Sequence, residues 1–544
     1  MGTTNKYLRA VKTRDTRTEN GALSNSTTGS ELVDQFGLAG NYRGRSFEEV
    51  SKDMCAIWDE NPLMALRFPF YLRMITRKVE INKNFVSDKV QMGQGARDEA
   101  FKRLLWIARE HKNDFYENIW LLPCIGRWKD IWDLMYYDRK LGLHAIDNGV
   151  MYTLLSQALG MEEHSQLVKK YMPRIRSNQK CTTEYAEISN GLAKGFALFL
   201  GCKNYRAYNK LKASIDGWQQ QMCARRYDEI NFSTIPGKAL ANLVTSKFLK
   251  NHNLVGKYME WLDKQPVAKF NGYVFELLKK WLDNCYRKDS DVIRKTINKQ
   301  FKQLVKTAKE DSTIKENVLV ALDTSGSMTA PVIDGVSALM MAESLGVYFA
   351  SLNEGAFHNE VMMFNNTSTP LTLHGEFCDM VHQLPLNAMG GTNFMSICHA
   401  MVKIREEHPE IPLTDYPTTI LVVSDMQFNP APREYDCRLR RYVQREYTNY
   451  EEFKARLYDA FPKEFVDSIK FVWWHCTSRC VDFPSTVEDG GCYQFSGFDG
   501  AIINMLLGME EKVDENGVKQ KPTAEELVKQ SLSQEVLELV VAAA

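Results

Sequence analysis

No C-x-x-C pair occurs anywhere in the chain, although twelve cysteines are spread over its 544 residues. The nearest approach is "HCTSRC", where His475, Cys476 and Cys480 lack the further ligands that a zinc site needs, so these cysteines are read as reduced thiols. Also missing are any run of about 18 apolar residues of the kind that crosses a membrane and any charged-then-apolar leader at the polar N-terminus. These gaps exclude disulfide frameworks, zinc modules and membrane spans, and predict an intracellular, cytoplasmic chain. A G-x-S-x-G elbow is absent too, which removes the serine-hydrolase reading of Ser325. Net charge is likewise missing, because 68 basic and 68 acidic residues cancel.

That zero hides an asymmetry. Residues 41–310 hold 46 Lys and Arg against 30 Asp and Glu, a net of +16, whereas residues 311–544 hold 17 against 34, a net of −17. A basic half calls for an anionic partner, and the two halves also attract each other. A single core stops growing at roughly 250–300 residues, so at least two domains are expected.

Residues 1–45 read as an N-terminal arm rich in Thr, Ser, Asn and Gly ("TENGALSNSTTGSELVDQFG"). From Ser46 the pattern turns helical: "SFEEVSKDMCAIWDEN" opens with the Ser-x-x-Glu spacing of a capping box, and amphipathic segments follow with almost no strand signal. A helical repeat array over 46–310 is predicted, with Trp106, Trp120, Trp128, Trp132 and Trp218 in its core. After Asp311, "NVLVALD", "HNEVMMFN", "TTILVVSD" and "SIKFVWWHC" alternate with helix-like segments, which predicts a doubly wound, mostly parallel sheet over 311–510. A tail, 511–544, closes on the rest. The expected fold class is therefore multidomain, α followed by α/β.

Asp323 ends the first of those strands, where open α/β folds place their ligand sites. With Ser325 and Ser327 it forms D-x-S-x-S, and alternate residues of a loop can turn one carboxylate and two hydroxyls toward one point. Thr392 in the glycine-rich "AMGGTNF" and Asp425 at the end of "LVVSD" fall on the same sheet edge in a βαβ order. Five oxygen donors of this kind suit Mg²⁺ or another hard divalent cation. Asp323 as a phosphoryl-accepting nucleophile is disfavoured, because Ser325 stands where the second acid would be and no general base accompanies it.

The basic segment holds two acid-free runs. Lys169, Lys170, Arg174, Arg176 and Lys180 occupy residues 164–183, and Lys194, Lys203, Arg206, Lys210 and Lys212 occupy residues 188–215. Tyr171, Tyr205 and Tyr208 are interleaved, and cations with aromatics suit phosphate pairing plus base stacking on single-stranded or structured RNA. Lys and Arg also coat ordinary helix faces. Arg97 and Arg127, each near a helix start, are read first as local salt-bridge residues, with an RNA contact as the alternative for either.

Over residues 315–510 the D-x-S-x-S, Thr, Asp pattern resembles the metal-ion-dependent adhesion site (MIDAS) of the von Willebrand factor A domain, and all five positions are present. In that family the cation completes its coordination with an acidic group of a partner. Together with the helical array, "GQGARDEAFKRLLW", "GRWKDIW", "RRYDEINFSTIPGKAL", "VALDTSGSM", "GGTNF" and "VVSDMQFNPA" resemble the Ro autoantigen, or TROVE, family, in the branch of plants, bacteria and large viruses that carries a domain of unknown function. The resemblance implies HEAT-like repeats in a ring closed by the A domain, and a noncatalytic ribonucleoprotein component that binds noncoding RNA. Ro's own RNA contacts do not align here, so only the five metal positions carry over. The sequence thus predicts a monomeric RNA-binding protein, not an enzyme, with a Mg²⁺-dependent docking site for a partner's acid. The alternative is a metal-dependent interaction or assembly scaffold without nucleic acid.

Overall fold

The computed structural model describes residues 14–82, 85–212, 217–310, 316–333, 335–385, 387–431, 434–436, 441–443, 447–477, 482–507, 512–513 and 519–543. Two compact units emerge, one of Arg43–Ile235 with Leu532–Ala544, the other of Met1–Tyr42 with Pro236–Ser531.

The first unit is mostly helical. Helix α1 (Phe47–Glu60) starts at the capping box its sequence signals: Ser46 Oγ accepts from the Glu49 N–H at 3.2 Å and the Glu49 carboxylate accepts from the Ser46 N–H at 2.7 Å. Then come α2 (Pro62–Arg73), α3 (Arg97–Glu110), α4 (Trp128–Lys140), α5 (Asn148–Gly160), α6 (Glu162–Tyr171), α7 (Glu184–Phe199) and α8 (Tyr205–Lys212). Their apolar faces meet around Phe68, Tyr71, Phe101, Ile131, Leu155 and Phe196, all buried. Trp106, Trp128 and Trp132 join this core, but Trp120 is 36% exposed. Trp120 lies in a 3-10 turn whose flanking Ile119 and Leu121 take the inward positions. Two hairpins, Ile75–Arg77 with Gln91–Gln94 and Glu80–Asn82 with Phe85–Val86, interrupt the helices. They stand in a stretch read as having almost no strand signal, where β-branched Ile75, Val79 and Ile81 alternate with polar residues at a period of two. The C-terminal residues close on this unit, where Asn118 exchanges two hydrogen bonds with Val541 (2.7 and 2.9 Å) and Gln534 two with Met92 (2.7 and 2.8 Å).

The second unit is built on a six-stranded sheet of β1 (Val318–Asp323), β2 (Glu360–Phe364), β3 (Ser368–Thr372), β4 (Thr419–Ser424), β5 (Lys470–His475) and β6 (Cys492–Ser496). The order is β3-β2-β1-β4-β5-β6, parallel throughout except for the antiparallel edge strand β3. Every residue of β1, β4 and β5 is buried, as expected of parallel strands covered on both faces. Successive side chains alternate between the faces. Leu319, Ala321, Ile420, Val422, Phe471 and Trp473 pack under helices Met395–Glu407 and Asn449–Ala460. Leu322 instead packs against Gly346 of helix Ala338–Leu352, where a Cβ would fall 2.5 Å from the leucine.

Residues 236–310, grouped with the helical array in the sequence reading, are helical but belong to this second unit. Phe301 stacks on Phe377 at 4.3 Å and the Trp281 indole N–H donates to His382 at 2.9 Å. A twenty-residue helix, Ser290–Lys309, leads into the segment before β1.

Candidate functional site

Adjacent strands β1 and β4 feed the chain in opposite directions, β1 toward β2 and β4 toward β5. Their carboxyl ends therefore flank the switch point of the sheet, where the outgoing loops diverge and leave a crevice. Asp323 is the last residue of β1, and Asp425 follows Ser424, the last of β4.

Four of the five predicted oxygen donors touch one another there. Asp323 Oδ1 accepts from the Ser325 N–H at 2.9 Å, Ser325 Oγ and Ser327 Oγ are 3.1 Å apart, and the Ser327 hydroxyl bonds Asp425. Thr392 is held beside them by backbone bonds. The Gly326 N–H donates to Gly390 O at 3.0 Å, and the Asn429 N–H, from the loop after Asp425, donates to Thr392 O at 2.9 Å. Gly390 takes a φ of 83°, a left-handed conformation that explains a glycine at this bend. Met426, next to Asp425, holds a φ of 62° without being glycine, a strained backbone of the kind that collects at functional sites.

Asp323 is fully buried and Asp425 nearly so. Burial, followed by the charge of Asp425, holds the Asp323 carboxyl well above the usual carboxylate range. Burial likewise raises Asp425, against the hydrogen bonds from the Gln427 N–H and the Ser327 hydroxyl. Among the described residues no cation is one of the groups acting most strongly on either acid. Two carboxylates and three hydroxyls form the hard donor set that Mg²⁺ accepts, and a divalent cation would offset the two buried like charges.

Sequence reasoning missed several residues of this site. The Ser424 hydroxyl donates to Asp323 Oδ2 at 2.5 Å and Gln427 Nε2 to Asp482 at 3.0 Å. A hairpin of the N-terminal arm, Thr16–Arg17 with Leu23–Ser24, lays its tip over the rim. There the Thr18 hydroxyl donates to Phe428 O at 2.7 Å, the Glu19 N–H to Gln427 Oε1 at 2.5 Å and the Asn20 amide to Thr392 Oγ1 at 3.4 Å. The only signal for this in the sequence is the polar "TENG" itself. His475 is not placed to ligate a metal, since its Nε2 faces Gln494 Oε1 at 2.9 Å and burial pushes its pKa down to about 4. Cys480 lies outside the described residues. Among the described residues no three His, Cys, Asp or Glu side chains are placed to hold a metal ion together, and no helix is long and apolar enough to cross a membrane.

The predicted basic residues divide into three groups. Lys170, Arg174, Arg176 and Lys212 line one cavity of about 500 Å³ in the helical unit, together with Lys129, Trp132, Tyr171 and Tyr185. Lys194 and Lys203, with Tyr205, line a second of about 490 Å³. Lys169, Lys180, Arg206 and Lys210 line neither. Tyr208, read as interleaved with the cations, is instead a core residue.

The first cavity owes its shape to Pro173. Proline disfavours helix in the residue before it, so α6 ends at Tyr171 and the chain runs on extended. Lys212 Nζ caps the helix end by donating to Lys170 O at 2.8 Å and Met172 O at 2.5 Å. Two asparagines then clamp the extended backbone. Asn209 of α8 accepts from the Ile175 N–H and donates to Ile175 O, both at 3.0 Å, and Asn190 of α7 does the same for Arg176 at 2.8 and 3.1 Å. With Ile175 turned inward, Arg174 and Arg176 are both exposed, two residues apart on one side of the segment. Among the described residues neither guanidinium has a carboxylate partner, whereas Arg97 pairs with Asp133 at 3.2 Å and Lys129 with the same acid at 2.7 Å.

A relative described as "Uncharacterized protein L728" of Acanthamoeba polyphaga mimivirus is 21% identical over 538 residues, covering 91% of this chain and 85% of that protein. The crystal structure of Deinococcus radiodurans RO (RSR) protein aligns with a TM-score of 0.45 at 13% identity, covering 88% of this chain and 98% of that one. Residues 317–543, from the start of the sheet to the C-terminal tail, match the family described as "Domain of unknown function (DUF7788)".

Proposed function

We propose that this chain is a noncatalytic RNA-binding protein whose basic cavity grips the sugar–phosphate backbone and whose oxygen-donor cluster holds Mg²⁺, or another divalent cation, for docking a partner's acid. One observation carries the first half: Arg174 and Arg176, on a segment held by two asparagine clamps, face outward, and among the described residues no carboxylate pairs with either. Two exposed guanidiniums on a clamped backbone offer an anion charge-assisted donors already in place, and a phosphate backbone supplies anions at regular spacing. The sequence motifs shared with the TROVE family favour the same partner class. A ring of HEAT-like repeats belongs to that resemblance as well.

For the second half, Asp323, Ser325, Ser327, Thr392 and Asp425 would hold the cation. When bound it would supply an electrophilic centre with a position open to a carboxylate, because three of the five protein donors are neutral hydroxyls.

The test is a salt titration of single-stranded RNA binding by the full chain. Counterion release predicts log affinity falling linearly with log salt, with a slope of about −0.7 per phosphate neutralised. Weak binding that ignores salt favours the scaffold reading, in which the metal site acts without nucleic acid. Asp323→Ala tests the cation directly. Calorimetric Mg²⁺ binding is expected to vanish in this variant while its far-ultraviolet dichroism is kept, and unchanged Mg²⁺ binding contradicts the assignment.

A further inference from the structure

The geometry points to the cavity between α4, α6 and α7 as a subsite for one whole nucleotide, its phosphate on Arg174 and Arg176 and its base stacked on Tyr185. This deepens the RNA-binding reading and rests on it: a surface that only neutralises phosphates needs no cavity, whereas this one has the size and the chemistry to take a base as well.

Size comes first. About 500 Å³ lies within the range of roughly 300–1,000 Å³ over which pockets take small ligands, and a nucleoside monophosphate is of that class. The lining combines two kinds of group. Arg174 and Arg176 stand on a backbone held by the asparagine clamps, and among the described residues neither is in an ion pair. The same lining holds Tyr185, which is 46% exposed, and Trp132, which belongs to the core. Tyr185 is itself positioned, with Tyr136 packed edge-on at 4.8 Å and Lys129 Nζ 5.7 Å from its ring centroid. An exposed aromatic face on a fixed ring is what base stacking uses, at roughly 1–3 kcal/mol per base, and a neighbouring cation strengthens it. Ser189, on the same helix as Tyr185, brings a hydroxyl into the lining that can both donate and accept.

The lining therefore offers both groups a nucleotide calls for, guanidiniums for its phosphate and an exposed aromatic ring for its base. A free phosphate or a carboxylate-bearing peptide would use the arginines and leave Tyr185 without a stacking partner. Of the other lining cations, Lys129, Lys170 and Lys212, the last is engaged with the end of α6, so its role is to hold the wall.

The experiment uses the full chain and three probes, UMP, AMP and ribose 5-phosphate, titrated by calorimetry or by saturation-transfer NMR. Both nucleotides are expected to bind saturably, and ribose 5-phosphate about tenfold more weakly, the equivalent of about 1.4 kcal/mol for the base. Tyr185→Ala should erase that difference, and Tyr185→Phe, which keeps the ring, should preserve it. Because Tyr185 is half-exposed, neither change threatens the fold. Arg174→Ala with Arg176→Ala should weaken all three probes alike. Equal binding of nucleotides and ribose 5-phosphate overturns the subsite. So does the absence of saturable nucleotide binding in a chain that binds RNA, which leaves the RNA reading standing. A chain that binds neither RNA nor nucleotide overturns both.

Discussion

Replacing Arg174 and Arg176 together by Glu lowers the affinity of the full chain for single-stranded RNA by on the order of a hundredfold at about 0.1 M salt. Two favourable phosphate contacts become two repulsive ones, on a backbone that the asparagine clamps prevent from moving away. The loss should be broad across RNA sequences, because phosphates carry no sequence information. The matched control is Arg206→Glu with Lys210→Glu, which reverses the same charge on exposed residues of α8 that line neither cavity. Fluorescence anisotropy with a labelled unstructured RNA reads both variants. A much smaller loss in the control assigns binding to the cavity, and equal losses reduce it to general surface charge.

The second large effect concerns stability. Glu343, in the helix that packs on β1, is buried, and its Oε1 has no hydrogen-bond partner among the described residues. Burial alone pushes its pKa up to about 8 from 4.5. The folded chain thus keeps a proton that the unfolded chain releases. Its stability is fully present below about pH 4.5, declines as pH rises toward 8, and is flat beyond. Between pH 5 and pH 8 the decline due to this residue is on the order of 3 kcal/mol. Glu343→Gln removes the ionisable group, so urea unfolding of the variant should lose that part of the pH slope and show a higher midpoint than wild type at pH 8. An unchanged slope would mean that Glu343 is ionised in the folded protein. Asp34, which burial raises to about 7, contributes a slope of the same sign in both proteins, so the comparison isolates Glu343.

How much of this could be read beforehand depends on how local the signal is. Strands β1, β2, β4 and β5 stand out as short runs of β-branched and aromatic residues, and the α1 capping box is visible as Ser46 and Glu49. Edge strand β3 is not visible, because "STPLT" carries a proline. Pro370 is tolerated only because β3 pairs on one side. The D-x-S-x-S spacing places two hydroxyls near Asp323, and Asp425 is recognisable by its strand end. Ser424 and Gln427 look like ordinary flanking residues, and the hairpin tip of Thr18 and Glu19 reaches Phe428 and Gln427 across some four hundred residues of chain, a distance no local pattern spans. In the helical unit the two acid-free runs were legible as charge. Their division into cavity-lining and peripheral cations was not, since it depends on Asn190 and Asn209, polar residues inside helices whose partners lie 14 and 34 residues away.

The central claim is that RNA contacts the helical unit at the cavity bounded by α4, α6, α7 and α8. Photo-crosslinking of RNA carrying 4-thiouridine to the full chain, followed by mass spectrometry of the peptides, tests it most directly. The account predicts adducts on peptides spanning residues 129–212, with Tyr171 and Tyr185 as the favoured aromatic acceptors. Adducts confined to residues 236–531, or a pattern unchanged in the Arg174→Glu, Arg176→Glu double variant, would contradict it.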